Sequence, residues 1–304
     1  MKNQIKNIEA SVRAKLQNKA KETHRPFSEV LQYYAMERFL YRLGQSKYAD
    51  KFILKGALMF TVWQIAERRT TLDIDFLALY DNGVAKIENV IREICDVKAD
   101  PDGLVFDKTT VTGRKIKEDA DYEGVRIKFS GFLERLRISM QIDVGFGDIV
   151  YPEIQIIDYP VILDLSKPHL KGYTIESVVA EKFEAMIKLG LLNSRMKDFY
   201  DLWLMARQFD FKGSNLVEAL KKTFEHRKTL FPEEQPLFAE EIYDEKSDRQ
   251  TLWKAFLTKN QLELAPQKLK DTAEIIESLL TEPVQAIHQK KSFKAEWLAP
   301  GPWK

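Results

Sequence analysis

Two periodicities alternate along this chain, and the points where one gives way to the other divide it into three parts. Residues 1–50 repeat apolar side chains at helical intervals: Tyr33, Met36, Leu40 and Leu43 fall at 3–4–3 spacing, Pro26 suits the first turn of that helix and Gly44 its stop. From residue 51 the pattern shortens. "KFILK" and "LDIDFLAL" read as strands flanking "GALMFTVWQIAER", a helix that begins at a glycine. "NGVAKIENVIREICD" follows as a helix with Val84, Ile87, Val90, Ile91 and Ile94 on one stripe. Two runs then alternate with period two, "GVRIKFSGF" (Val125, Ile127, Phe129) and "LRISMQIDVGF" (Ile138, Met140, Ile142, Val144). The short link "LER" between them predicts an antiparallel pair, and "EIQIIDYPVIL" adds a further strand.

Beyond about residue 170 the helical period returns. "ESVVAEKFEAMIKLGLL" points Val179, Phe183, Met186 and Leu189 inward, and "KDFYDLWLMARQF" does the same with Phe199, Leu202, Ala206 and Phe209. Further helices fit 214–227, 250–258 and 267–283, and "WLAPGPWK" reads as a tail docked through its two tryptophans. The class this predicts is α+β: N-terminal helices and a small mixed-sheet core over 1–165, then a C-terminal helical bundle over 166–304. The order of elements does not suit a doubly wound parallel sheet.

Composition narrows the function classes. The net charge of +1 gives no general pull toward nucleic acid, so any such surface must be a local patch. The single cysteine, Cys95, sits on an apparent helix face beside Ile91 and Ile94 and reads as packing; one cysteine makes no intrachain disulfide, which favours a reducing compartment. No apolar run reaches the ~20 residues of a membrane span, so the expectation is a cytoplasmic protein without membrane contact. His24, His169, His226 and His288 have no metal-ligand spacing, and neither a nucleophile elbow nor a P-loop is present.

The chemistry concentrates in "RRTTLDIDFLAL", residues 68–79, where a strand pattern carries two aspartates. Asp73 and Asp75 share a face, opposite Leu72, Ile74, Phe76 and Ala78, at the roughly 6–7 Å that separates i and i+2 on a strand. Carboxylates so placed repel unless a cation lies between them, and an all-oxygen set suits Mg²⁺ or Mn²⁺. The alternative is two solvated aspartates at a sheet edge. Asp143 lies on the polar face of its own strand; if that strand neighbours 72–78, three carboxylates converge, enough for the two-ion chemistry of phosphoryl transfer. Gly56, where a strand becomes a helix, offers backbone amides for phosphate, or is an ordinary turn residue.

Strand, glycine-started helix, D-x-D strand and a later aspartate on a strand resemble polymerase-β-type nucleotidyltransferases. More specifically, "RLGQSKYADKFILKGALMF", "RRTTLDIDFL", "YEGVRIKF", "QIDVGFGD", "IIDYPVILDL" and "SVVAEKFEAMIKLGLLNSRMKDFYDLW", in that order, resemble the AbiEii/AbiGii-type nucleotidyltransferase toxins of type IV abortive-infection systems. The resemblance runs from about residue 10 to about 230. It implies that 1–165 includes a nucleotidyltransferase core, that Asp73, Asp75 and Asp143 hold the metal, and that Lys55, Gly56 and Ala57 form the nucleotide-phosphate loop. Arg69 and Thr71 would flank the metal site, Lys182 would meet nucleotide phosphates, and Arg195, Lys197, Asp198 and Asp201 would complete the cleft, with Lys182 and Asp198 counted among the catalytic residues. Ala57 departs from the serine that many nucleotidyltransferases carry there. On residues alone, Lys182 reads equally as a solvated helix lysine and Asp198 as a helix cap.

The activity so implied is Mg²⁺- or Mn²⁺-dependent transfer of a nucleoside monophosphate from an NTP to an acceptor, a tRNA 3′ end, with release of pyrophosphate and a cognate antitoxin as partner. Two rivals stand beside it: a D-x-D glycosyltransferase, and a degenerate module that binds nucleotide or RNA. A tRNA acceptor requires clustered positive charge, for which Lys221, Lys222, Arg227, Lys228 and the face bearing Lys188, Arg195 and Lys197 are the candidates.

Overall fold

The computed structural model describes residues 7–65, 69–79, 83–119, 122–233, 236–244 and 246–304. These fall into two compact units, one of residues 1–147 and 155–172, the other of 148–154 and 173–304.

The first unit is built on a mixed sheet. Its strands are β1 (Phe52–Lys55), β2 (Ile74–Ala78), β3 (Leu104–Asp119), β4 (Tyr122–Leu133), β5 (Leu136–Phe146), β6 (Gln155–Asp158) and β7 (His169–Gly172), in the spatial order β3-β4-β5-β2-β1-β7-β6. β2 runs parallel to β5 and antiparallel to β1, so the D-x-D strand and the Asp143 strand are neighbours at the centre of the sheet. The alternation that predicted β4 and β5 holds residue for residue: Val125, Ile127, Phe129, Ile138, Met140, Ile142 and Val144 are all buried in one core with Ile74, Phe76 and Ala78. That core is closed by α1 (Ile8–Glu22), α2 (Phe27–Gly44) and α4 (Val84–Cys95), whose buried stripes belong to it. Cys95 is among them, and burial pushes its thiol up to about 12, which leaves it an unreactive packing residue.

Three expectations need correction. The helix predicted over 56–68 is a 3₁₀ turn at Gly56–Leu58 followed by one turn, α3 (Met59–Val62); Gln64 then takes a positive φ of 58°, and 66–68 lie outside the described residues. Leu72 does not join the buried face; the strand begins only at Ile74, and Leu72 is 63% exposed. The 153–163 strand shortens to four residues: the Tyr159 amide still donates to the Pro168 carbonyl, its register partner, but Pro168 has no N–H to return the bond and Pro160 has no donor to continue it.

α2 carries charge into the core. Glu37, Arg38 and Arg42 are buried there, and Arg42 forks onto Asp102 at 2.7 and 3.1 Å. Glu37 accepts from the Ile162 amide at 2.7 Å and from Arg38 at 3.2 Å. These bonds stitch α2 to the loops on either side of the sheet and satisfy groups that would otherwise be costly to bury.

In the second unit, α5 (Ile175–Leu189), α6 (Met196–Gln208), α7 (Gly213–Arg227), α8 (Asp248–Asn260) and α9 (Leu269–His288) pack around Phe183, Phe199, Phe224 and Phe238. β8 (Phe211–Lys212) pairs with β9 (Glu296–Trp297). The tail docks as expected: the indole N–H groups of Trp297 and Trp303 donate to the carbonyls of Ala206 and Leu279. No helix among the described residues is long and apolar enough to cross a membrane.

Glu37 gives the fold a pH dependence. Burial pushes its carboxyl up to about 7, against the Ile162 amide and Arg38, which pull it down. The folded state therefore holds this proton more tightly than the unfolded chain, and stability falls as pH rises from about 4.5 to about 7. The loss is on the order of 3 kcal/mol. Chemical denaturation across that window should show the slope in the wild type and lose it in Glu37→Gln, whose amide oxygen still accepts from Ile162.

Candidate active site

The pairing of β1, β2, β5 and β4 lines up four charged residues in one row. Lys55 is opposite Asp75, Asp75 opposite Asp143, and Asp143 opposite Arg126. Register partners on adjacent strands point to the same face, so a lysine, two aspartates and an arginine stand side by side across the sheet, away from the apolar core. Asp73, just before β2, adds a third carboxylate on that face. Oxygens of Asp73, Asp75 and Asp143 all lie within 4.8 Å of one another. At an effective dielectric of about 20, each such pair of charges repels by roughly 3 kcal/mol. The fold assembles this repulsion through central strands, where no residue can move aside without breaking the ladder.

Each acid is held. The Thr71 hydroxyl donates to Asp73, and the Thr71 amide donates to the Tyr33 hydroxyl at 3.1 Å, fixing the chain just before the strand. Asp143 receives both arms of Arg126, Nε at 2.8 Å and Nη2 at 2.6 Å, and the Gln141 amide at 3.5 Å. Asp75 is seated over Gly56: a β-carbon there would stand 2.0 Å from the Asp75 Oδ2, and the residue has φ +70°. The glycine is required for two reasons, its backbone conformation and the carboxylate lying across it. Lys55 and Ala57 on either side are buried, while Arg69 is partly exposed.

The phosphate-binding helix expected at Gly56 is not built. The 3₁₀ turn and α3 together make seven residues, too short for an appreciable macrodipole, so only loop amides are offered there.

Arg126 is the residue that sequence reading missed. It stands in "YEGVRIKF", where it looked like the polar half of an alternating strand. Its hydrogen bonds to Asp143, reinforced by the fields of that residue and of Asp73 and Asp75, raise its affinity for its proton and keep it cationic. Nothing in the sequence separates it from an arginine that faces solvent at the polar position of a strand.

In the second unit the predicted residues also gather. Lys182 on α5 reaches Asp198 at 2.7 Å and Asp201 at 2.8 Å on α6, and Arg195 pairs with Asp198 at 2.7 Å. Asp198 and Asp201 are fully buried, so they are neither a solvated face nor a simple cap. Burial works against the Asp198 charge, but Lys182 and Arg195 outweigh it and hold the carboxyl below its ordinary range. Lys197 is exposed and adds its field to theirs.

One member of the expected RNA patch is elsewhere. The Arg227 side chain is only 8% exposed, bound to Glu184 at 2.8 Å and Asp148 at 2.9 Å, and thus offers little to a phosphate backbone. Lys222 pairs with Glu218 at 3.3 Å, and its ammonium lies over the Tyr151 ring.

A β-sheet row of carboxylates beside a glycine loop is the arrangement expected of a nucleotidyltransferase, and comparison with known proteins gives the family. The profile described as "Nucleotidyl transferase AbiEii toxin, Type IV TA system" matches residues 38–278, and the chain belongs to that family. No curated protein matches it. Two solved chains from H. pylori are similar at 14% identity. A provisionally assigned nucleotidyltransferase covers 86% of this chain and 95% of its own at a TM-score of 0.46; JHP933 covers 83% and 89% at 0.44.

Two substitutions test this geometry. Gly56→Ala should displace the Asp75 carboxylate and strain the turn, costing about 1–3 kcal/mol of stability by urea titration, with activity lost even where the protein stays folded. Lys182→Met should cost about 3–5 kcal/mol, because it deprives two buried carboxylates of a shared partner. A solvated surface lysine would cost well under 1 kcal/mol in the same measurement.

Proposed function

We propose that this chain is a divalent-metal-dependent nucleotidyltransferase that moves a nucleoside monophosphate from an NTP to a tRNA 3′ end, releasing pyrophosphate, as the toxin of a type IV system with a cognate antitoxin. The observation that carries the reading is the convergence of Asp73, Asp75 and Asp143 within 4.8 Å on one sheet face.

The donor set fits Mg²⁺ or Mn²⁺: three carboxylates, no sulfur or imidazole, and, with Asp73 added to the row, one more acid than Lys55 and Arg126 offset. Bound by these residues, the metal would lower the charge barrier to attack on the α-phosphate and to pyrophosphate departure. The chain's own groups supply the rest. Gly56 has no β-carbon, which lets the Asp75 carboxylate lie directly across its backbone, and the amides of Gly56 and Ala57 would meet a phosphate oxygen beside that carboxylate. Lys55 contributes positive charge in the same row, and Arg69 and Thr71 border it. Asp143 would also accept the proton of the attacking hydroxyl. The nucleotide-phosphate role proposed for Lys182, Arg195 and Lys197 falls in the helical unit, where Asp198 and Asp201 fix the lysine.

Family membership weighs against the D-x-D glycosyltransferase, and a full set of carboxylates weighs against a degenerate binding module. For the RNA acceptor, Lys221 and Lys228 remain as candidates together with Lys188 and Lys197, once Arg227 is assigned to the buried ion cluster.

The purified protein, incubated with total tRNA, Mg²⁺ and each α-labelled NTP in turn, should label tRNA from one or a few of the four nucleotides and release pyrophosphate. Asp75→Asn should reduce the rate by at least ~10³-fold, since metal-centred stabilisation of transferred phosphate is a large share of such catalysis. Release of a nucleoside diphosphate instead would identify a glycosyltransferase. Labelling of a protein rather than tRNA would keep the chemistry and remove the RNA acceptor.

A further inference from the structure

The proposed function leaves one strong interaction without a role. Arg126 grips the third carboxylate by both oxygens, at 2.8 and 2.6 Å, the tightest fork in the acid row. A guanidinium in that pose occupies the side of the carboxylate that an incoming cation would also use, and the two positive charges repel. Asp143 cannot yield: it is a central-strand residue with a side chain only 8% exposed. Arg126 can. Its side chain is 29% exposed, it reaches Asp143 from the neighbouring strand, and its length lets the guanidinium swing outward while the backbone stays paired.

We propose that Arg126 is a nucleotide-responsive counter-ion: it holds Asp143 in the free protein, and moves from it to the triphosphate when the nucleotide enters, freeing the third carboxylate for the metal. A triphosphate offers the guanidinium the same planar pair of anionic oxygens that Asp143 does, so the fork is exchanged like for like. The neighbouring charges favour the exchange only when both newcomers are present. A metal alone must displace Arg126 without giving it another partner, and a triphosphate alone adds negative charge beside three carboxylates. Metal and nucleotide therefore bind with positive coupling, and Arg126 transmits it. Arg126 is a positioning residue in this scheme while it holds Asp143, and a substrate contact after it moves. The inference rests on the metal-dependent reading above and adds to it the order in which the site is completed.

The test uses Mn²⁺ alone, followed by paramagnetic resonance or calorimetry, on the full chain without nucleotide. Arg126→Gln should bind Mn²⁺ about tenfold more tightly than the wild type, because Asp143 is released. It should bind an α,β-methylene nucleoside triphosphate several-fold more weakly. Arg126→Lys, which keeps the charge but loses the fork, guards against a folding defect and should fall between the two. Unchanged or weaker Mn²⁺ binding in both variants would overturn the proposal and make Arg126 a fixed support for Asp143. Tighter Mn²⁺ with unchanged triphosphate affinity would overturn the exchange. Asp75→Asn separates this from the underlying reading. If Mn²⁺ binding is the same with and without Asp75, the metal site itself is wrong, whatever Arg126 does.

Discussion

Everything specific to this molecule depends on one register: β2 parallel to β5, with Asp75 opposite Asp143. A slip of one residue would turn Asp143 into the core and bring Ile142 or Val144 to the charged face, since the side-chain period of a strand is two. The register is enforced from the apolar side. Ile74, Phe76 and Ala78 lie in the same core as Ile142 and Val144, and burying each costs nothing only in the observed pairing. Hydrophobic alternation thus sets the positions of the carboxylates, and core residues that never touch them help to hold them there against several kcal/mol of mutual repulsion.

How much of this could be read in the chain depends on the same logic. β4 and β5 were legible because apolar residues of one face alternate through their central runs; the ends of β5 were read to the residue, while β4 extends two residues before and one beyond the run that was read. β3 is longer and was not seen. Its register shifts between Asp107 and Thr112, so buried Leu104 and Phe106 are even-numbered while buried Val111 is odd, and the period-two signal cancels over the run. β7 is four residues long, too short for any period. The helix over 56–68 was overextended because its apolar residues fit a helical stripe, and nothing in the sequence marks the turn where Gln64 adopts positive φ. At the site, the acids were legible because carboxylates at i and i+2 are rare neighbours on a buried strand. Arg126 was not, since an arginine at the polar position of an alternating strand looks the same whether it faces solvent or a carboxylate.

The helical unit uses charge differently. Lys182, Arg195, Asp198 and Asp201 form a nearly balanced group between α5 and α6, and Arg227 with Glu184, Glu181 and Asp148 forms a second at the end of α7. Buried pairs of this kind add little net stability compared with apolar packing, but they are intolerant of losing one partner. Their contribution is to fix orientation: a lysine shared between two carboxylates on adjacent helical turns has one position, where a free lysine has many. The same reasoning moves Arg227 from the candidate RNA surface to the interior. A count of positive residues along the sequence cannot separate these two uses, because both place basic residues in polar helical positions.

The glycine loop shows how a shortfall in one element constrains another. Where a long helix follows such a loop, its N-terminal amides and dipole favour a phosphate by up to about 1–2 kcal/mol. Here the helix ends after one turn, and Ala57 removes the hydroxyl that a serine would add. A nucleotide bound at Gly56 would then meet two loop amides and, beyond them, Asp75 itself, which lies across the glycine. Amides alone do not offset the approach of a triphosphate to three carboxylates. Beside any bound metal, the fixed compensating charge on the described sheet lies in register with the acids, in Lys55 at one end and Arg126 at the other. The flanking of two aspartates by two cations is therefore more than neutralisation of a repulsive pair. For a nucleotide bound there, it would supply from side chains on rigid strands the positive charge that a longer helix would have supplied from its backbone.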